Sequence, residues 1–314
     1  MSNSHIPVLL SEMLNALNIR DQATYLDATF GGGGYSEAIL KSADCQVFAL
    51  DRDPEAIARG KLLEQKYPHR FRIFEGCFSD LFQLAATNFW EKFDGIVFDF
   101  GVSSFQIDQP ERGFSFRFEG PLDMRMSSSG LSAAEVVNTF EEEDIANIIY
   151  RYGEERKSRR IANAIVRRRL EKPFTTTADL ASLIEKILGR KFGAQHPATL
   201  TFQALRIFVN NELIEVESGL SFAELYLKPK GRLVTVTFHS LEDRIVKTFV
   251  RARTSRVKGQ SRLLPGEMAT NQPLFKDLFP KGIAPSDGEI EANPRSRSSR
   301  LRVVERLYVS EVES

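Results

Sequence analysis

A mixed α/β fold, its parallel sheet interrupted by a helical insertion, is predicted by three observations. Short apolar strands alternate with helical stretches from Thr24 to about Gly101. Residues 132–190 then follow a helical pattern with little β-branched alternation. Strand character returns at Arg232–Phe238 (RLVTVTF) and Leu301–Val309 (LRVVERLYV). Strands alternating with helices at this spacing indicate βαβ units, and a sheet that resumes after a helical run indicates an insert.

The first half supplies candidate strands at Tyr25–Ala28, Val47–Leu50, Phe71–Phe74 and Ile96–Phe98. Between them Pro54–Lys66 is helical, and Pro54 suits the first turn, where its missing N–H is no loss. Residues 105–130 form a loop rich in Phe, Gly, Ser and Arg, Leu200–Glu217 is a further helical pattern, and 251–298 has the composition of a long loop. A chain of 314 residues is large for one core. The expected division is a discontinuous α/β domain at 1–105 plus 198–314, with a helical insertion at 106–197.

Lys+Arg and Asp+Glu balance at 42 each, so any nucleic-acid contact must come from local basic patches. Cys45 and Cys77 have no metal-ligand spacing and are too few for a disulfide framework, which points to a reduced, cytoplasmic protein. The segment Met1 to Asn15 has no signal-peptide pattern, and no run approaches the roughly 18 apolar residues of a membrane span.

The run from Tyr25 through Asp27 to Gly31-Gly32-Gly33-Gly34-Tyr35-Ser36 passes from a strand into a helix. Glycines let backbone approach a ligand closely, and a helix N-terminus presents unpaired N–H groups. Asp51 closes the second strand, where such folds place an acid on ribose hydroxyls. A nicotinamide enzyme would share both features, but its fingerprint needs a third glycine where this chain has Ser36 or Glu37. With Asp27 ahead of the loop, a site for S-adenosyl-L-methionine is favoured. Phe78, after the third strand, suits an adenine face or simple core packing, and Asp99 ends the fourth strand, where ligands of open α/β sheets bind.

Several stretches together resemble one family, the bacterial 16S rRNA (cytosine-N4)-methyltransferases, also called MraW. They are His5-Ile6-Pro7-Val8-Leu9-Leu10, the glycine loop, Leu50-Asp51-Arg52-Asp53-Pro54 and Gly101-Val102-Ser103-Ser104. Next come Glu111-Arg112-Gly113-Phe114-Ser115-Phe116, Gly120-Pro121-Leu122-Asp123-Met124-Arg125-Met126 and Tyr152-Gly153-Glu154-Glu155-Arg156. His196-Pro197-Ala198-Thr199, Phe202-Gln203-Ala204-Leu205-Arg206 and Phe238-His239-Ser240-Leu241-Glu242-Asp243-Arg244 complete the set, in order along the chain. The resemblance implies a Rossmann-like, class I S-adenosylmethionine-dependent methyltransferase domain with an inserted all-helical substrate-recognition domain. It implies methylation of a cytosine N4 amine in the decoding region of 16S rRNA in the small ribosomal subunit. It carries cofactor contacts onto Gly33, Gly34, Tyr35, Asp51, Phe78, Asp99 and Gln106. The family usually has His where Tyr35 stands and Pro where Phe105 stands.

Such a transfer needs the amine aligned with the S–CH3 bond and an acceptor for its proton. Asp99 is the candidate acceptor, with Ser103 or Ser104 orienting the base. On a helix from about Glu155 to Leu170, Arg156, Arg160 and Arg167 fall in one stripe opposite Ile161 and Ile165. With Arg112, Phe116 and Arg125 they are the candidate RNA contacts, and Arg251, Arg253, Arg256 and Lys258 are a second basic group. His239, Glu242 and Asp243 form no compact ligand set, so no metal is expected, and His196 suits a domain junction. The oligomeric state stays open, a homodimer included. A nicotinamide oxidoreductase and a non-catalytic RNA-binding factor are the rival readings. Neither explains the whole motif series.

Overall fold

The structure is a computed structural model in which residues 7–127, 129–190, 195–255 and 272–308 are described. The first part of the chain forms α1 (Leu10–Leu17), β1 (Thr24–Asp27), α2 (Gly34–Ser42), β2 (Gln46–Asp51), α3 (Pro54–Lys66), β3 (Phe71–Glu75), α4 (Leu81–Thr87) and β4 (Phe93–Asp99). Six helices follow: α5 (Ser104–Asp108), α6 (Ala133–Thr139), α7 (Glu142–Gly153), α8 (Ser158–Arg169), α9 (Thr177–Leu188) and α10 (Thr199–Val209). Then come α11 (Glu212–Tyr226), β5 (Leu227–Thr237), α12 (Ser240–Thr254), β6 (Phe275–Asp277), α13 (Asp287–Ala292) and β7 (Arg300–Arg306).

These elements form two compact units, Met1–Gly101 with Glu215–Ser314, and Val102–Ile214. The first holds one sheet in the order β3-β2-β1-β4-β5-β7-β6. Strands β3 to β5 run parallel, while β7 is antiparallel to both β5 and β6. Both faces of the sheet are covered, as expected of a parallel sheet. On one face Tyr25, Val47, Ala49, Val97 and Val234 pack with Met13 and Leu17 of α1 and Ile39 of α2. On the other, Leu26, Leu50, Ile96, Phe98 and Leu233 pack with Leu81 of α4, Leu220 of α11 and Val246 of α12. This is a Rossmann-like α/β architecture.

The second unit is helical and has its own core, built from residues such as Val136, Ile145, Ile149, Ile161, Ile165, Phe174, Leu180, Ile184, Phe202 and Leu205. Helices α7 and α10 approach closely at Gly153, where a Cβ would lie 2.5 Å from the carbonyl oxygen of Leu200.

Four expectations need correction. Residues 198–214 and 102–105 belong to the helical unit, because Ala198, Phe202, Ala204 and Leu205 bury their apolar surface in its core. The helical pattern over 200–217 is two helices, broken at Asn210 and Asn211, the latter at φ 51°. The stretch 251–298 is no continuous loop, since it contains the end of α12, then β6 and α13. A three-residue edge strand such as β6 is too short to show period-two alternation. The last strand ends at Arg306, and Val309 lies outside the described residues.

Candidate active site

Because β3, β2, β1, β4 and β5 are parallel, their carboxyl ends share one edge. The strand order reverses between β1 and β4, which is where ligands of such sheets bind. Asp27 ends β1, Asp51 ends β2 and Asp99 ends β4. Asp27 is level with Ala49 and Val97, so Asp51 and Asp99 stand two residues further out, on the strands flanking it. The strands that carry those outer acids are about 10 Å apart across β1. Three carboxylates therefore line one edge.

Each has a different environment. Asp27 is fully buried; it accepts hydrogen bonds from Ser36 Oγ at 2.6 Å and from the Thr29 N–H at 3.2 Å. Burial pushes its pKa up to about 6 against the pull of these bonds, and the nearby Asp51 raises it further. Asp51 receives the Gly31 N–H at 2.7 Å on Oδ2 and the Asp53 N–H at 2.9 Å on Oδ1. Its pKa is also raised, chiefly by burial. The main chain of Asp99 donates to Thr29 Oγ1 at 2.7 Å, which ties the strand end to the loop after β1. Its Oδ1 is buried with no hydrogen-bond partner among the described residues. Burial first, then Asp27 and Glu242, hold the Asp99 carboxyl well above the usual carboxylate range.

The glycine loop serves this edge through its backbone. Gly33 is at φ 79° and caps α2; a Cβ there would lie 2.6 Å from Phe30 Cζ. A Cβ on Gly34 would lie 2.1 Å from Pro7 Cγ. Both glycines are thus also required by packing, which the sequence pattern did not reveal. Tyr35 is buried, and its phenol donates to the Val8 carbonyl, so its side chain is committed to the core. Phe78 sits in a 3₁₀ turn, edge-on to Phe98 at 5.1 Å and to Phe100 at 5.9 Å. It is only partly buried.

At the end of β5, His239 caps α12: Nδ1 accepts the Glu242 N–H at 3.4 Å, and Glu242 Oε2 accepts the Phe238 N–H at 2.8 Å. Asp243 pairs with Arg302 at 2.7 Å, which with Lys247 lowers its pKa despite partial burial. Sequence reasoning missed Glu242 as a charge bearing on Asp99. The Glu three residues after a helix-capping position was the available signal.

In the helical unit, Ser103 and Gln106 cap α5 reciprocally. The Ser103 N–H donates to Gln106 Oε1 at 3.0 Å and the Gln106 N–H to Ser103 Oγ at 3.3 Å. Ser104 and Phe105 begin the helix itself. Three of the six candidate RNA residues are committed inside the unit. Arg112 donates to the carbonyls of Arg125 and Met126, at 3.2 and 2.9 Å. Arg125 pairs with Asp123 at 2.7 Å, and Phe116 packs on His196 and Phe202, with ring centroids at 4.5 and 4.8 Å. Arg156, Arg160 and Arg167 are exposed, but Arg156 lies in the turn before α8, so the helical stripe holds only for Arg160 and Arg167. Of the second basic group, Arg253 pairs with Glu224 at 2.5 Å, Arg251 is exposed, and Arg256 and Lys258 lie outside the described residues, as do His5 and Ile6.

The sequence profile of the MraW methylase family matches residues 2–307. The chain belongs to the MraW methylase family. Curated relatives named ribosomal RNA small subunit methyltransferase H include one from Rhodospirillum rubrum, 52% identical over 96% of this chain and 94% of its own. Another, from Beijerinckia indica, is 55% identical over 95% of this chain and 84% of its own. The MraW methylases use S-adenosylmethionine as methyl donor, and the residues at the sheet edge fit such a group. Asp51 holds backbone N–H groups on both carboxylate oxygens and keeps lone-pair capacity for a hydroxyl. A ligand carrying sulfonium and ammonium charge would also relieve the repulsion among Asp27, Asp51 and Asp99. None of the described helices is long and apolar enough to cross a membrane.

Proposed function

We propose that this chain methylates the exocyclic N4 amine of one cytosine in the decoding region of 16S rRNA, within the small ribosomal subunit and in the cytoplasm. The observation that carries the chemistry is the buried Asp99 Oδ1, an acceptor with no partner at the switch point of the sheet. The RNA half of the proposal is supported by the names of the relatives.

S-adenosylmethionine, when bound, supplies an electrophilic methyl group on a sulfonium leaving group. The backbone from Gly33 to Tyr35, with Asp51, Phe78, Asp99 and Gln106, would hold it. The cytosine amine is a weak nucleophile because its lone pair is delocalised into the ring. Holding it in line is therefore a large part of the acceleration, and well-oriented reactants gain roughly 7–11 kcal/mol. Asp99 accepts an N–H of the amine at Oδ1, fixes its orientation and takes the proton as the new N–C bond forms. Burial raises its pKa in the ligand-free site, and a cation beside it pulls that pKa back down, toward the carboxylate this role needs. Ser103 accepts from the Gln106 N–H and keeps its own O–H to orient the base.

The test is incubation with tritiated S-adenosylmethionine and small subunits lacking the modification, followed by nucleoside mapping. Label in N4-methylcytidine at one position is expected; label in another nucleoside, or none, would overturn the proposal. Asp99→Ala should lower kcat by roughly 10²–10⁴-fold. Full turnover in that variant would remove Asp99 from the chemistry.

A further inference from the structure

The loop from Arg112 to Phe118 sorts its side chains into two groups. Arg112 serves carbonyls within the unit, its guanidinium lies 5.8 Å from the Phe114 ring centroid, and Phe116 packs against His196 and Phe202. Arg117 and Phe118 are left outside, and Phe118 is 65% exposed. We propose that Phe118, with Arg117 beside it, is a stacking platform for an unpaired base of the RNA substrate. This rests on the rRNA reading above and adds a contact that determines how the RNA is held.

Single exposed apolar side chains are ordinary on protein surfaces. The backbone that presents this one is not ordinary. The hydroxyl of the fully buried Thr177 donates to the Phe118 carbonyl at 3.3 Å and accepts the Gly120 N–H at 3.2 Å. The Thr177 N–H donates to the Gly120 carbonyl at 2.9 Å, and the Leu122 N–H to the Thr175 carbonyl at 3.0 Å. From the other side Gly120 abuts Pro110, where a Cβ would fall 1.8 Å from the carbonyl oxygen. The ring therefore stands on a clamped support, and ordering it on binding requires little further loss of backbone freedom.

Charge favours a nucleic acid as the occupant. Arg117 has no ion pair among the described residues. The start of α9, where Thr177 sits, is tied to the end of α8 by Arg168, which reaches Asp179 and lies 4.7 Å from the Phe174 ring centroid. That end of α8 also exposes Arg167 and, just after it, Glu171 and Lys172, leaving a net positive charge there. Exposed Glu119 keeps the loop from being a general polyanion site, so stacking on the ring is the main contribution and the arginine assists.

The test uses the full chain with unmodified small subunits and with deproteinised 16S rRNA. Phe118→Ala should raise KM for subunits and Kd for free RNA by roughly 5- to 100-fold. It should leave kcat, S-adenosylmethionine affinity and Tm unchanged. Phe118→Trp should retain binding and show quenched fluorescence on RNA, against a quiet background from Trp90, which is only 9% exposed. Arg117→Ala should reduce the salt slope of RNA binding by about one. A Phe118→Ala enzyme with native RNA affinity would overturn the platform, as would full rescue by Phe118→Leu, which has no π face. Weakened binding to intact subunits alone would also overturn it, because the contact would then be with protein. A native enzyme with no RNA affinity would instead remove the rRNA reading itself.

Discussion

Asp27 shows how one buried side chain links stability to cofactor chemistry. Its pKa rises on folding to about 6 from the ordinary 3.8, so the folded protein binds its proton more tightly than the unfolded chain does. The stability gained from that proton is fully present below pH 3.8 and is lost as pH rises through about 6. At neutral pH the buried charge costs about 3 kcal/mol relative to acid conditions. Asp27→Asn, which keeps an acceptor for Ser36, should raise the ligand-free Tm at pH 7.5 and flatten the pH dependence between pH 4 and 6. Thermal melts across that range check it, and an unchanged profile would show that Asp27 does not titrate there. At this scale the sequence disclosed Asp51 and Asp99 through their places at strand ends. It could not disclose that Arg112, Arg125 and Phe116 turn inward, because side-chain direction in an irregular loop has no periodicity to read. Asp123, two residues before Arg125, was a local sign of that pairing.

Elements with strong periodicity were legible, whereas joints between elements were not. The strands β1 to β4 lie within a few residues of their expected places, because apolar runs buried on both faces are bounded by turn residues. The break between α10 and α11 was invisible, because Asn210 is a polar residue whose buried hydrogen bonds are made to residues distant in sequence. Asn210 is 1% exposed; its Oδ1 accepts the Met126 N–H at 2.8 Å and its Nδ2 donates to the Met124 carbonyl at 2.7 Å. Asn210→Ala should therefore destabilise the helical unit by about 2–4 kcal/mol, since it strands two buried backbone groups. Denaturant unfolding measures this. A loss below about 0.5 kcal/mol, the range of ordinary surface substitutions, would show that the joint is not held there.

For the whole molecule, the resumption of strand pattern after a helical run was enough to foresee a sheet with an insert. The insert's limits were misplaced because α10 is amphipathic in either setting, and only its packing partner, α7, decides where it belongs. The central claim is that a carboxylate-lined edge of the first unit seats a cationic methyl donor. Calorimetric titration of S-adenosylmethionine, S-adenosylhomocysteine and NAD between pH 5 and 7.5 tests it most directly. S-adenosylmethionine should bind with affinity rising through about pH 6, as Asp27 loses its proton, and with proton release on binding. S-adenosylhomocysteine, lacking the sulfonium charge, should show a shallower rise, and NAD should not bind. Tight NAD binding, or S-adenosylmethionine affinity indifferent to pH across this range, would contradict the account.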